Sequence, residues 1–244
     1  MNPLGSGDVP LGGDGVTFHS GMFTTDSLEY EVLQRAVCEI KGVPGAIVEI
    51  GTREGGSAKL IIDTLVSEGD TRREMFCIDP YGDLDFPMAN RAITRFNLEA
   101  ELQGDPDSVH ESVALKLGYD NSMRNKIVPA LYWYAYRAGI DFTLFFLEDT
   151  EFFERYADGV PVYNDGKRLV NEYSFVFYDG PHTNEAVDRE LAFFIPRTPV
   201  GSVAVFDDIW MMDHEGVAEE KWLLPNGWEI IEKGEQKASY RKVR

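Results

Sequence analysis

Two apolar runs that each end in acid constrain the fold most strongly. Phe175, Val176, Phe177 and Tyr178 are continuously hydrophobic, as a strand buried on both faces of a parallel sheet is. The run breaks into Asp179, Gly180, Pro181 and His182. Val187, Leu191 and Phe194 then recur at helical spacing, and a second apolar run, Val203 to Phe206, ends on Asp207 and Asp208. A strand, a crossover helix and a parallel neighbour leave both strand ends on one edge of a sheet. Asp179 and Asp207 lie 28 residues apart in sequence, yet this topology converges all three carboxylates on one mouth. That edge is where open α/β sheets bind their ligands.

Carboxylates brought together repel, and the usual remedies are a shared proton or a hard cation. Asp179, Asp207 and Asp208 offer the oxygen ligands that Mg²⁺, Mn²⁺ or Ca²⁺ prefer, whereas no cysteine or histidine cluster points to zinc. His182, three residues past Asp179, is placed to accept a proton there. The plainer alternative is solvated strand-end acids and a helix-capping histidine.

Upstream, Ala46–Ile50 reads as a first strand that opens into Gly51, Thr52, Arg53, Glu54, Gly55, Gly56 and Ser57, followed by a helix through Leu60, Ile61 and Leu65. Glycines at such a turn let a ligand approach the backbone, and the helix start offers free N–H groups. The glycine spacing differs from the Gly-x-Gly-x-x-Gly of dinucleotide sites. Glu49 at the strand end would repel a pyrophosphate but attract an ammonium. A second strand, Met75–Ile78, ends at Asp79, placed to accept hydrogen bonds from both hydroxyls of a ribose.

Together these residues resemble a known family. Val48 to Ser57 followed by Asp79 looks like the cofactor site of class I S-adenosylmethionine-dependent methyltransferases. Asp179 with His182, then Asp207 with Asp208, resembles the metal-dependent macrocin and mycinamicin type of sugar O-methyltransferase. The resemblance spans Ala46–Asp79 and Phe142–Trp210, about two-fifths of the chain. It implies a Rossmann-like α/β fold: a mostly parallel seven-stranded sheet with an antiparallel last strand and helices on both faces. It also implies that Glu49, Gly51, Thr52, Arg53, Gly55, Ser57 and Asp79 bind S-adenosylmethionine. Asp179, Asp207 and Asp208 would hold Mg²⁺ (or Mn²⁺ or Ca²⁺), with His182 as base. Asp149, at the end of a strand read at Thr143–Leu147, would face the adenine amino group. Competing readings are a catechol O-methyltransferase, an iron-dependent hydroxylase on the same fold, and a non-catalytic cofactor-binding protein.

The remainder frames this core. Residues 1–24, rich in glycine, are expected to form a mobile arm, with one methyltransferase domain over 25–244. A helix is expected from Asp26, with Glu29 in a capping box and Leu33, Ala36, Val37 and Ile40 buried. Residues 82–140 form a helical insertion in which Tyr132, Trp133, Tyr134 and Tyr136 offer rings for a sugar, a core or a subunit interface. Residues 160–171 read as a hairpin overhanging the site, and Trp228–Glu232 with Ala238–Val243 as a final strand pair. The net charge of −19 disfavours nucleic acid and anionic membranes as partners and suits a small hydroxylated substrate. No Asp/Asn-Pro-Pro-aromatic motif of base-flipping enzymes is present. Cys38 and Cys77 are too few for a disulfide framework, and neither a signal-peptide pattern nor a membrane-length apolar run is evident, so a cytoplasmic setting is expected. Self-association stays open.

Overall fold

The computed structural model describes residues 27–82, 121–164, 166–210 and 214–244, with the pairs 9–10, 17–18 and 23–24. β1 (Val9–Pro10) and β2 (Thr17–Phe18) form a short antiparallel ladder in the expected arm. α1 (Tyr30–Glu39) leads into β3 (Ala46–Ile50), α2 (Gly56–Glu68) and β4 (Glu74–Ile78). α3 (Asn121–Ala138), β5 (Asp141–Phe145) and α4 (Asp149–Arg155) precede the hairpin β6 (Val160–Val162) and β7 (Arg168–Val170). β8 (Tyr173–Tyr178), α5 (Asn184–Phe194), β9 (Val203–Phe206) and α6 (His214–Ala218) follow, and β10 (Trp228–Lys233) and β11 (Ala238–Lys242) close the chain.

Seven strands form one sheet in the order β10-β11-β9-β8-β3-β4-β5. β9, β8, β3, β4 and β5 run parallel, while β11 is antiparallel to both β9 and β10. This is the Rossmann-like arrangement expected, with the reversed strand slotted inside the last pair. The continuous apolar runs arise because both faces are covered. Side chains alternate across the sheet. Val48, Ile50, Phe76 and Ile78 face a layer that includes Phe152 of α4 and Val187, Leu191 and Phe194 of α5. Ile47, Met75, Cys77, Phe175 and Phe177 face α1, α2 and α3 through Leu33, Ile61, Ile127 and Leu131.

Several expectations shift. α1 starts at Tyr30, and Glu29, with φ 57°, forms no capping box. Its carboxylate instead accepts the backbone N–H groups of Glu235, Gln236 and Lys237 at 2.9, 2.9 and 3.1 Å. Those three donors sit in the β10–β11 turn and outcompete a single helix-start N–H. β5 begins at Asp141, earlier than the apolar run alone indicated. The β6–β7 hairpin forms, but Arg168 pairs with Glu74 at the start of β4, so it lies at the amino-terminal edge of the sheet and does not overhang the opposite edge. Tyr132 and Tyr134 serve packing: the Tyr132 hydroxyl accepts the Leu144 N–H at 3.1 Å, and Tyr134 donates to Asp63 on α2. The expected helix near Ala92–Leu98, the helix start at Asp26 and the hairpin residue Asp165 lie outside the described residues. Among the described residues, no helix is long and apolar enough to cross a membrane.

Candidate active site

The carboxyl ends of β3, β4, β8 and β9 meet at one edge. After β3 the chain turns through Gly51 at φ +85°, a backbone conformation natural to glycine. A Cβ there would lie 1.9 Å from the Asp179 carbonyl oxygen, so the β3 and β8 loops touch backbone to backbone. Gly55, φ +73°, caps α2, and Arg53 also takes a left-handed φ of 41°. Asp79 holds this loop in place. Its Oδ2 accepts the N–H groups of Thr52 and Arg53 at 2.9 and 2.8 Å, and its Oδ1 accepts that of Tyr81 at 2.9 Å. Burial outweighs these donors and pushes the Asp79 carboxyl up to about 6.

Glu49 lies across from Cys77 in the parallel register, so both project toward the α1–α2 face. The Cys77 thiol donates to Glu49 Oε2 at 3.1 Å, while Oε1 has no hydrogen-bond partner. Burial drives the Glu49 carboxyl up to about 7, against the pull of Ser57 and Cys77. A cleft lined by Thr24, Tyr30, Gly51–Glu54, Gly56, Ser57 and Asp179 opens above. Thr24 forms a parallel bridge with Gly55, and Phe23 packs edge-on against Tyr134, so the end of the expected arm rests on the glycine loop. The sequence alone gave no sign of Cys77's part; it follows from the register.

Asp179 lines this cleft and also meets the second group of acids. His182 Nε2 lies 3.4 Å from Asp179 Oδ1 and 3.7 Å from Asp208 Oδ2. His182 is buried, and both it and Asp208 hold left-handed backbones, φ 50° and 51°, uncommon for residues with a Cβ. Burial raises the Asp208 carboxyl; His182 opposes the shift and Asp207 adds to it. Trp210 Nε1 donates to Asp208 Oδ1 at 3.2 Å.

Asp207 goes elsewhere. Alternation along β9 sends it to the face of Val203 and Val205, where Lys237 Nζ lies 2.7 Å from its Oδ1, both side chains fully buried. The same Oδ1 accepts the Ser27 hydroxyl at 2.9 Å and the Asp208 N–H at 2.8 Å. Asp207 Oδ2 is buried without a hydrogen-bond partner. The structure thus gathers Asp179, His182 and Asp208, and separates Asp207 from them. Among the described residues no group of three or more histidines, cysteines and acids is arranged to hold a metal ion. The donor chemistry still suits a hard cation, since the acids bring carboxylate oxygens and one buried oxygen is unused. His214, whose Nε2 lies 3.0 Å from the Asp207 carbonyl and whose ring sits 5.1 Å from that of His182, carried no motif signal.

Asp149, buried at the start of α4, accepts its own helix N–H from Thr150 at 2.7 Å. It neighbours the buried Glu190 of α5; burial raises both carboxyls, and Asp149 pushes Glu190 further. The two carboxyls also hydrogen-bond to each other, which favours a protonated Glu190 beside an ionised Asp149. The pair lies against the β8 loop, where a Cβ on Gly180 would come within 3.2 Å of Glu190 Oε1.

A parallel sheet with one reversed strand, a glycine turn after its first central strand and acids at the next strand ends form the arrangement expected of the class I methyltransferase fold. A family of methyltransferase domains matches the chain over residues 48–209, and the chain belongs to that family. No functionally curated protein matches it in sequence. The fold is similar to that of CalS11, a calicheamicin methyltransferase, at 16% identity and TM-score 0.54, covering 86% of this chain and 77% of that one. An apo structure of CalS11, there described as a TDP-rhamnose 3′-O-methyltransferase, gives 15% identity and TM-score 0.50 over the same shares, 86% and 77%. A Staphylococcus aureus protein assigned as a caffeoyl-CoA O-methyltransferase gives 12% identity and TM-score 0.50, covering 90% of this chain and 85% of that one. At such identities the likeness speaks for the fold.

Proposed function

We propose that the protein is an S-adenosylmethionine-dependent O-methyltransferase that acts on a hydroxyl of a small molecule, a sugar or glycosylated metabolite. One observation carries this reading: Asp179 belongs both to the cleft above the glycine loop and to the pair of carboxylates flanking His182 Nε2. A donor in the cleft and a proton acceptor beside it are what methyl transfer to oxygen requires. The sugar class rests on the resemblance of Asp179 with His182, and of Asp207 with Asp208, to the macrocin and mycinamicin type of sugar O-methyltransferase, and CalS11 is described as a TDP-rhamnose 3′-O-methyltransferase.

The cofactor residues fit such a group. Gly51 and Gly55 let the loop pack tightly against the Asp179 carbonyl and against Ile127 and Leu131, where a Cβ would collide, and Glu49 Oε1 is a buried acceptor awaiting a donor such as an ammonium. Thr52, Arg53 and Ser57 would line the cofactor's amino-acid end. Asp79, though engaged by three N–H groups, sets the loop against which a ribose would lie, and Asp149, paired with Glu190, would face an adenine amino group. When bound, the cofactor supplies an electrophilic sulfonium methyl. His182 Nε2 would take the proton from the acceptor hydroxyl, and Asp179 and Asp208 would stabilise the imidazolium formed, an acid–base contribution of about 10²–10⁴-fold. A divalent cation, preferentially Mg²⁺, would be held by Asp179 and Asp208, with Asp207, drawn away by Lys237, adding its open Oδ2 only on release, and would supply Lewis acidity toward the hydroxyl. The acidic surface suits an uncharged or cationic substrate, and the unpaired Cys38 and Cys77 fit a reducing cytoplasm.

The test is titration calorimetry of S-adenosylmethionine and its demethylated product, with and without Mg²⁺, followed by transfer of labelled methyl to a panel of sugars and catechols. Asp208→Asn and His182→Gln should each lower turnover by at least about 100-fold while cofactor affinity is unchanged. Full turnover in Asp208→Asn, or in excess EDTA, would remove the cation from the proposal. A folded protein that binds no cofactor would overturn the proposal entirely.

A further inference from the structure

Lys237 is the most deeply buried lysine or arginine among the described residues. It is fully buried on β10–β11, 30 residues from its partner Asp207. Its ammonium makes three polar contacts: 2.7 Å to Asp207 Oδ1, 2.6 Å to the Ser27 hydroxyl and 2.8 Å to the Leu28 carbonyl. It also lies 4.5 Å from the Tyr30 ring centroid. A buried lysine survives in its charged form only where such partners replace water. A structural ion pair would ordinarily satisfy both carboxylate oxygens, yet Asp207 Oδ2 stays buried and unpaired. Three donors crowd the other oxygen: Lys237, Ser27 and the Asp208 N–H. The last of these pins Asp208 in its left-handed turn, with its Oδ2 toward His182.

We propose that Lys237 is the resident counter-ion of the acidic site and competes with a divalent cation for Asp207. It is a positioning residue. By drawing Oδ1 to the α1 face it keeps Asp207 out of a common shell with Asp179 and Asp208, and it turns Asp208 toward His182 through the Asp208 N–H. Its positive charge offsets one of three nearby carboxylates, so a divalent cation is held more weakly than the acids alone would hold it. The inference rests on the acidic site proposed above but stands apart from whether the native enzyme uses a metal. Ser27 and Leu28 tie the same ammonium to the segment before α1, three residues along the chain from Thr24, which bridges Gly55 of the glycine loop.

Lys237→Gln keeps a hydrogen-bond donor near Ser27 and removes the charge. Mn²⁺ binding, read by electron paramagnetic resonance and calorimetry on the apoprotein, separates the outcomes. The wild type is compared with Lys237→Gln, Asp208→Asn and the neutral pair Asp207→Asn/Lys237→Met. Lys237→Gln should bind Mn²⁺ at least about tenfold more tightly than the wild type, since one positive charge has left a buried site. The neutral pair, included because it removes both buried charges and guards against a variant that fails to fold, should show no gain. Equal Mn²⁺ affinity in Lys237→Gln and the wild type, including no binding by either, overturns the inference, as does a matching gain in the neutral pair. The cation reading fails separately, when the wild type binds no Mn²⁺ or binds it undiminished in Asp208→Asn. If Lys237→Gln does not fold, Lys237→Met supplies the same comparison, with Mn²⁺-dependent stabilisation of its melting temperature expected and its absence decisive against.

Discussion

Two pairs of acids stand on the same edge of this sheet and are managed in opposite ways. Glu49 and Asp79 come from neighbouring strands, and both fall on the α1–α2 face, Asp79 two residues past the Cys77 that pairs with Glu49. Asp207 and Asp208 are adjacent just past β9: the strand's alternation leaves Asp207 on the face of Val203 and Val205, while the left-handed turn at Asp208 sends its carboxylate toward His182. The first pair is held by neutral donors: three backbone N–H groups engage Asp79 and a thiol engages one oxygen of Glu49, leaving Oε1 open. The second pair needs full positive charge, from Lys237 on Asp207, and lies beside an imidazole at Asp208. Cross-strand acids can therefore share a rigid, dry wall suited to binding. Sequential acids divide into one that anchors the structure and one that faces the chemistry.

The two halves meet where Gly51 touches Asp179, so the sharpest way to break the comparison is Gly51→Ala. The new methyl would collide with a carbonyl oxygen and sit at φ +85°. We expect a loss above about 4 kcal/mol in urea unfolding, or no folded protein. Near-native stability would show that the halves are not braced against each other there. Asp79→Asn strikes the binding half alone. An amide cannot accept from both the Thr52–Arg53 pair and Tyr81, which leaves at least one buried donor unmet. A loss of roughly 2–3 kcal/mol is expected, together with weaker cofactor binding by calorimetry. Stability equal to wild type would mean the loop is held by its glycines and not by the carboxylate.

Much of this was legible because it is local and periodic. The apolar runs, the glycine turn and the acids at strand ends each announce themselves within ten residues, and together they imply the doubly covered parallel sheet that is found. What local sequence could not carry was the use of donors far along the chain. Glu29 has the spacing of a capping box but is taken by a turn 206 residues away. Asp207 looks like its neighbour Asp208 until β11 brings Lys237 beneath it. The hairpin at 160–171 was readable as a hairpin, yet its position at the far edge depends on the Arg168–Glu74 pair. Aromatic density at Tyr132–Tyr136 could not reveal that two of its hydroxyls serve α2 and β5.

The smallest effect expected is also the most discriminating for the binding wall. Burial raises Glu49 to about 7, from an ordinary glutamate value of 4.5. Between those values the unfolded chain ionises while the fold keeps the proton, so this group's stabilising contribution is full below about pH 4.5 and is lost as pH rises through 7. An ammonium placed against Oε1 reverses the preference, because it favours the ionised carboxylate. Cofactor affinity should then climb about eightfold from pH 6 to pH 7.5, following the ionised fraction of a group near 7. It should turn down above about pH 7.7, where the ligand's own α-amino group begins to deprotonate. Calorimetry across that range, on the wild type and on Glu49→Gln, checks it. The glutamine variant should bind more weakly with a rising limb flattened, because its amide has no proton to lose. A wild-type profile equally flat below pH 7.5 would move the ammonium off Glu49 and leave that residue as part of the wall, held by Cys77 but without a ligand of its own.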